Sequence, residues 1–391
     1  MLPESDGDRT KRREPSWSRR AMSVHRWSGL LGGLVFVLMG LSGALLVFHE
    51  ELDAALFPGQ LQADPTRGEW SVTRAVQSAQ RALPGARILG VALPSPERPR
   101  VLKVQVRRGS SAHAVLVDPY TGEVRGVRAR GSRMPSLRED PVSWAYRFHY
   151  QLAAGKRGQL ITVLASLLLL LSVLSGAFVY RKHLLTAVRF RVRVRGASTR
   201  TRVSSLHRVG GTWALGLNLL LAVSGFWMIH DTVTPGFWQP SRPLPAAASP
   251  VSRWTYDDAL AAAERAVPGF VPSWIDLGTT PGGTARFTLR GRHPNSAPVW
   301  GRHSSAVVLE ASSLQVVETR RPERLPLGAQ LDGLAFPLHQ GHWGGLPVKL
   351  LFVLAGLSLP LLSLSGTWLW LRRRARSAVA TAGAGRPVSF R

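Results

Sequence analysis

Four stretches of the chain stay apolar for longer than a soluble core helix requires. They cover residues 25–49 and roughly 158–180, 208–230 and 346–371. Each is long enough to cross a bilayer as a helix, which takes about 20 apolar residues. The first reads HRWSGLLGGLVFVLMGLSGALLVFH, with Arg26 as its single fixed charge and a histidine at each end. At about 1.5 Å per residue those two imidazoles lie about 36 Å apart, one near each membrane face.

Outside the spans the hydrophobic period shortens. Val72, Ala75, Val76, Ala79, Ala82 and Leu83 recur at helical spacing and Pro84–Gly85 closes the run. ILGVAL, VLKVQVR and HAVLVD follow as alternating runs broken by Pro, Gly and Ser, and VRGVR comes after a turn at residues 118–123. These read as strands. Asp140–Pro141 offers an N-cap and a first-turn proline for a helix that carries Trp144, Phe148 and His149 into the second span.

The second half repeats this order. His207–Arg208 with Gly211 answers His25–Arg26 with Gly29, and His230 closes the third span as His49 closes the first. TYDDALAAAERAVPGF matches SVTRAVQSAQRALPGA, with ARFTLRG, AVVLEASSL and QVVET as further strands. His339 precedes the fourth span as His149 precedes the second, and each lies 27 residues before a Gly, 366 and 176. Every span carries Ser-Gly near its far end, at 42–43, 175–176, 224–225 and 365–366. Internal repeats of this kind build many transporter-like membrane folds.

Charge fixes an expected orientation. Segments 1–24, 181–206 and 372–391 hold 20 Lys/Arg against four acids, whereas the long connections 50–157 and 231–345 carry only +7 and +1. This is the positive-inside pattern of a bacterial inner-membrane protein with both termini cytoplasmic. The chain's +27 therefore encodes topology and gives no support for nucleic-acid binding. The first span is too long for a signal-peptide core and lacks a small-residue cleavage site, so it reads as retained.

The expected organisation is a cytoplasmic basic tail 1–24, spans 25–49, 144–180, 207–230 and 339–371, extracytoplasmic α+β regions 50–143 and 231–338, a cytoplasmic loop 181–206 and a tail 372–391. The fold class is an α-helical membrane protein, a four-helix bundle made from a duplicated helix–α+β–helix unit.

No cysteine is present, which removes disulfides, thiolate catalysis, iron–sulfur clusters and covalent haem attachment. Six of the 11 histidines sit at helix ends, in equivalent places of the two halves. Facing imidazoles across a bundle are the axial arrangement of a low-spin b-type haem. On that reading His25 and His207 hold one haem near the cytoplasmic face, with Gly29 and Gly211 clearing room for the macrocycle. His149 and His339 hold a second near the outer face, favoured by adjoining aromatics (Phe148 and Tyr150; Phe336 and Trp343), with His49 and His230 as the alternative pair. Trp27, Trp213 and Trp227 are candidates to shorten the gap between haems. His113, His183, His293, His303 and His342 have no equivalents and read as surface residues. The competing reading keeps all the histidines as interfacial residues of a membrane anchor.

The HRW-x-G entry, the SG-x-LL-x-FH-x-EL exit, the helix–Pro-Gly–strand module, the His339/Gly341/Gly344/Gly345 entry and the closing SG-x-x-LW-x-RR carry a resemblance over roughly residues 20–375. The chain resembles the PepSY-associated transmembrane family, which includes PiuB-type iron-regulated membrane proteins and ferric-siderophore reductases. The resemblance implies four transmembrane helices, two extracytoplasmic PepSY-like regions and two b-type haems, with His25, His207, His149 and His339 as iron ligands. The segment after His149 lacks the double glycine found after His339. No GxGxxG follows a strand, and no cytoplasmic segment would house a flavin domain. A reductase of this kind would draw electrons from a quinol or a cytoplasmic partner and pass them to an extracytoplasmic ferric siderophore or other ferric chelate. The rival is a non-enzymatic scaffold whose PepSY-like regions restrain an extracytoplasmic protein.

Overall fold

A computed structural model describes residues 16–94, 100–130, 134–184, 186, 189, 198–230, 252–280 and 283–384. The expected tails 1–24 and 372–391 and the loop 181–206 lie partly outside them. In chain order the helices are α1 (Ser16–Leu46), α2 (His49–Leu56), α3 (Pro58–Leu61), α4 (Val72–Ala82), α5 (Pro141–Gln151), α6 (Gly155–Tyr180), α7 (Thr199–Ile229), α8 (Tyr256–Ala266), α9 (Leu327–Gln340) and α10 (Gly345–Ala384). The strands are β1 (Arg87–Ala92), β2 (Leu102–Arg108), β3 (Ser111–Val117), β4 (Val124–Arg130), β5 (Val271–Thr279), β6 (Ala285–Arg292), β7 (Ser305–Glu310) and β8 (Val316–Arg320). Two compact units result, one of residues 1–40, 164–223 and 355–391, the other of residues 41–163 and 224–354.

The helical unit is built from parts of α1, α6, α7 and α10. Four helices, Trp17–Leu46, Gly155–His183, Thr199–Ile229 and His342–Arg376, are long and apolar enough to span a membrane. Their side chains say the same. Leu31, Leu34 and Leu361 are about seven-tenths exposed, a cost in water that hydrocarbon removes. Inside, Phe36, Ala165 and Leu359 pack together. Gly40 brings α1 against α10, since a Cβ there would stand 2.5 Å from the Gly356 carbonyl, the close backbone approach that small residues permit between membrane helices.

Two of the spanning helices begin later than expected, at Gly155 rather than 144 and at Gly345 rather than 339. His149 and His339 lie on separate helices, α5 and α9, each ended by a left-handed residue (Leu152 φ 48°, Gly341 φ 68°) before the spanning helix begins. Asp140 does cap α5, accepting from the Ser143 amide at 3.0 Å.

In the sheet unit the two α+β regions make one eight-stranded antiparallel sheet, ordered β4-β3-β2-β1-β5-β6-β7-β8. Its seam pairs Val91 with Ile275 and Ala92 with Trp274. Sequence patterning misses β5, because Pro272 falls inside the run and the register shifts between Pro272 and Trp274. Gly90 (φ +148°) accommodates the Trp274 indole at the seam, where any Cβ would collide with it. One face of the sheet packs Val91, Leu102, Val104, Val115, Ile275, Phe287, Leu289 and Val307 beneath α4 and α8. The N-termini of those two helices interlock. Asp257 accepts from the amides of Val72 (2.8 Å) and Thr73 (3.2 Å) and from the Ser71 hydroxyl (2.6 Å), satisfying donors that a helix leaves open. On the other face, α2 and α3 cover β4 through Asp53 and Gln60, which Arg128 reaches at 2.7 and 3.2 Å.

Candidate functional site

Each unit brings together one of the two expected histidine pairs. In the helical unit, His25 of α1 sets its Nδ1 2.8 Å from the Ser172 carbonyl of α6. A carbonyl only accepts, so Nδ1 carries the proton and Nε2 keeps the lone pair. His207 of α7 places Nδ1 2.8 Å from Ser365 Oγ of α10, and Ser365 gives its own proton to the Leu362 carbonyl at 3.1 Å. With that proton on the Leu362 carbonyl the hydroxyl accepts from His207, an arrangement that leaves Nε2 bare there too. The two ring centres stand 6.2 Å apart at an interplanar angle of 74°.

That separation has a chemical meaning. Two metal–imidazole bonds of about 2.0–2.1 Å, with about 1.1 Å from each nitrogen to its ring centre, add to about 6.3 Å. The sheet unit repeats the figure. His149 and His339 lie 6.1 Å apart at 55°, with Nδ1 held by Ser42 Oγ of α1 at 2.9 Å and by Ser224 Oγ of α7 at 3.0 Å.

Glycine stands behind every ring. A Cβ at Gly176 would come within 3.0 Å of the His25 ring and one at Gly366 within 3.2 Å of His207. Gly43 and Gly225 stand in the same relation to His149 and His339, at 3.0 and 3.2 Å. The four Ser-Gly dipeptides are thus the cradles of the four histidines, with one variation. At His25 the backbone of Ser172 makes the bond, because Ser175 turns its hydroxyl to the Leu171 carbonyl of its own helix. The repeated Ser-Gly is visible in the sequence, but its pairing with a histidine on another helix is not.

Gly29 and Gly211 line the same cavity as His25 and His207, about 340 Å³ in volume and also lined by Gly176 and Gly366. Arg26, Arg208 and Arg373 border it, and α1, α6, α7 and α10 contain no Asp or Glu. Trp27 and Trp213 are 50% and 44% exposed, and neither lines this cavity. Trp227 donates Nε1–H to Asp332 at 2.8 Å in the sheet unit.

The alternative pair is not brought together. His49 stacks on His342, at 5.1 Å and 10°, while His230 turns Nδ1 to the Trp227 carbonyl beside the rings of Trp227 and Phe226. His342, expected at the surface on its own, therefore has a partner. Among the described residues no group of three or more His, Asp or Glu could hold a metal ion.

A polytopic membrane protein with an eight-stranded antiparallel sheet and two opposed histidine pairs is the class these features define. The chain belongs to the family described as the PepSY-associated TM region, whose model matches residues 22–373. Among curated proteins none matches it.

Proposed function

We propose that this chain is a haem b-containing oxidoreductase of the bacterial inner membrane that passes electrons outward to an extracytoplasmic ferric chelate. The observation that supports it most is the recurrence of one iron-sized gap, 6.2 and 6.1 Å between ring centres, at two histidine pairs with the same serine and glycine support. Anchoring or interfacial placement asks for no such spacing. The donor set fits haem: two nitrogens per site, and a cleared cavity at the helical-unit pair.

Bound haem supplies reversible one-electron chemistry at a potential set by its axial ligands and burial. The chain's residues do the rest. Ser172 and Ser365 fix the tautomers of His25 and His207, so that each presents Nε2 without a proton to displace. Gly29, Gly43, Gly176, Gly211, Gly225 and Gly366 keep the flanks thin. Arg26, Arg208 and Arg373 set positive charge beside the helical-unit cavity, where porphyrin propionates would lie. The basic excess of residues 50–157 favours approach of an anionic chelate. Reduction of Fe(III) to Fe(II) then weakens hard-oxygen coordination and releases the metal. Electrons would enter from a quinol or a cytoplasmic partner.

An optical spectrum is the first test. The purified protein, expressed with ample haem, should show a sharp dithionite-induced α-band of b type, and anaerobic mixing with ferric siderophores should reoxidise it faster than buffer alone. A colourless protein sinks the haem assignment and favours the scaffold reading. A coloured protein that no chelate reoxidises sinks the acceptor. Reporter fusions after residues 120 and 290 should read outside, and those after 195 and 385 inside.

A further inference from the structure

The described residues of the helical unit hold 13 Lys/Arg and no Asp or Glu. The two propionates of a bound haem would offset only a small part of that charge. Five of these arginines, all exposed, lie over aromatic rings. On α1, Arg20 stands 5.2 Å from the centre of the Trp17 ring and Arg26 5.6 Å from that of Trp27. On α10, Arg372 stands 5.3 Å from Trp368 and Arg374 5.0 Å from Trp370. Arg181, just past the end of α6, lies 4.1 Å from Phe178.

Two of these helices bring their arginines to one level. α1 and α10 run antiparallel in close contact: a Cβ at Gly40 would stand 2.5 Å from the Gly356 carbonyl, and one at Gly33 would stand 4.0 Å from Thr367 Oγ1. Seven residues make about two turns, so two turns beyond the second contact Arg26 and Arg374 reach the same height on the facing sides. Arg26 and Trp370 accordingly line one cavity. Toward mid-span the same helices expose Leu31, Leu34, Leu361 and Leu364. Indoles beside exposed leucines mark where hydrocarbon gives way to headgroups, and a guanidinium laid on each indole stands at phosphate depth. Guanidinium also takes two phosphate oxygens at once. We propose that this end of α1 and α10 is a binding surface for acidic phospholipid, with Arg20, Arg26, Arg372 and Arg374 meeting the phosphodiester and the acyl chains lying on the leucines. A zwitterionic lipid fits less well, because its own ammonium group offsets the phosphate and meets more cations here. An acidic protein would reach cations clear of the bilayer, whereas these are held against indoles at its edge. The surface stands independently of haem.

The test is native mass spectrometry of the full-length protein in detergent, titrated with phosphatidylglycerol or with phosphatidylcholine of the same acyl chains. The wild type should bind phosphatidylglycerol at least tenfold more tightly. A basic residue beside an anionic surface is worth roughly fivefold, so the triple variant Arg20→Gln, Arg372→Gln, Arg374→Gln should lose at least tenfold of that affinity, with phosphatidylcholine binding and melting temperature unchanged. Removing the same charge from the sheet unit, by Arg107→Gln, Arg108→Gln and Arg292→Gln, should leave it intact. Inorganic phosphate in tenfold excess over lipid should not displace the lipid. Hydrogen exchange of the wild type in nanodiscs needs no variant to fold: residues 16–24 and 372–380 should exchange more slowly in phosphatidylglycerol than in phosphatidylcholine. Equal affinity for the two lipids, wild-type affinity in the triple variant, an equal loss in the sheet-unit variant, displacement by phosphate, or identical exchange in both nanodiscs would each overturn the surface.

Discussion

Gly176→Ala probes the cradle most directly. The added methyl would sit 3.0 Å from both Cε1 and Nδ1 of His25, inside ordinary van der Waals contact, so the ring must retreat by a few tenths of an ångström. In the haem-free protein that retreat is cheap, and a better helix former in mid-helix returns up to about 1 kcal/mol. With iron on Nε2 the ring has nowhere to go, and overpacking costs about 1–3 kcal/mol. The difference falls on haem affinity, about 1–2 kcal/mol, or roughly 5–30-fold. Gly43→Ala, also at 3.0 Å from its ring, should behave alike, while Gly225→Ala and Gly366→Ala, at 3.2 Å, should lose less. Gly210→Ala meets nothing within 4 Å and serves as the control. The assay is the rate of haem transfer to excess apomyoglobin, with haem content by pyridine haemochrome. Wild-type transfer from Gly176→Ala, or a larger effect at Gly366 than at Gly176, would refute the cradle.

Asp257→Ala should destabilise the N-terminus of α4 by about 1–3 kcal/mol, since it removes a charged acceptor from three donors; hydrogen exchange at residues 72–75 of the full-length protein measures it. Burial pushes the Asp276 carboxyl above the usual carboxylate range, against the opposing effects of Trp274 and Arg290. The folded state thus binds the proton more tightly than the unfolded one, and stability falls as pH rises through the folded pKa. Asp276→Asn keeps an acceptor for Trp274 Nε1 and should slow exchange of β5 and β6 at pH 7, with the gain shrinking toward pH 4. Ala153, exposed and left-handed at φ 57°, should gain about 0.5–1 kcal/mol on replacement by Gly, seen as a raised unfolding temperature in nanodiscs.

Much of this architecture was legible because the solvent changes along the chain. A helix facing hydrocarbon must be apolar all round, so α1, α6, α7 and α10 stand out by length alone. The strand β2 showed through alternation, since Leu102, Val104 and Val106 join the core under α4 while Lys103, Gln105 and Arg107 take the other face. What stayed hidden depends on contacts far apart in sequence. Pro272 masked β5, and with it the fact that two regions share one sheet. The breaks after α5 and α9 were concealed because Leu152 and Ala153 are ordinary residues in a left-handed conformation that their types do not announce. His25 and His207 could be paired from the repeat alone. Ser172, Ser365 and the glycines behind the rings could not, because a hydrogen bond spanning 147 or 158 residues leaves no periodic trace.

The wiring of these contacts has a mechanical consequence. Each histidine takes its serine and glycine support from a helix of its own half of the sequence: His25 from α6, His149 from α1, His207 from α10 and His339 from α7. Each nevertheless faces a histidine from the other half. A half can therefore orient its own imidazoles, yet the gap between paired rings is set only where the halves pack on each other. In the helical unit that contact includes Gly40 against Gly356. In the sheet unit it includes the β1–β5 seam and the hold of Asp257 on α4. Ring orientation and ring separation are thus governed by different residues. An imidazole pair that must ligate one iron tolerates errors in angle far better than errors in distance, because the bonds are about 2.0–2.1 Å and stiff. On the proposed function, these contacts between the halves would tune how firmly an iron is gripped.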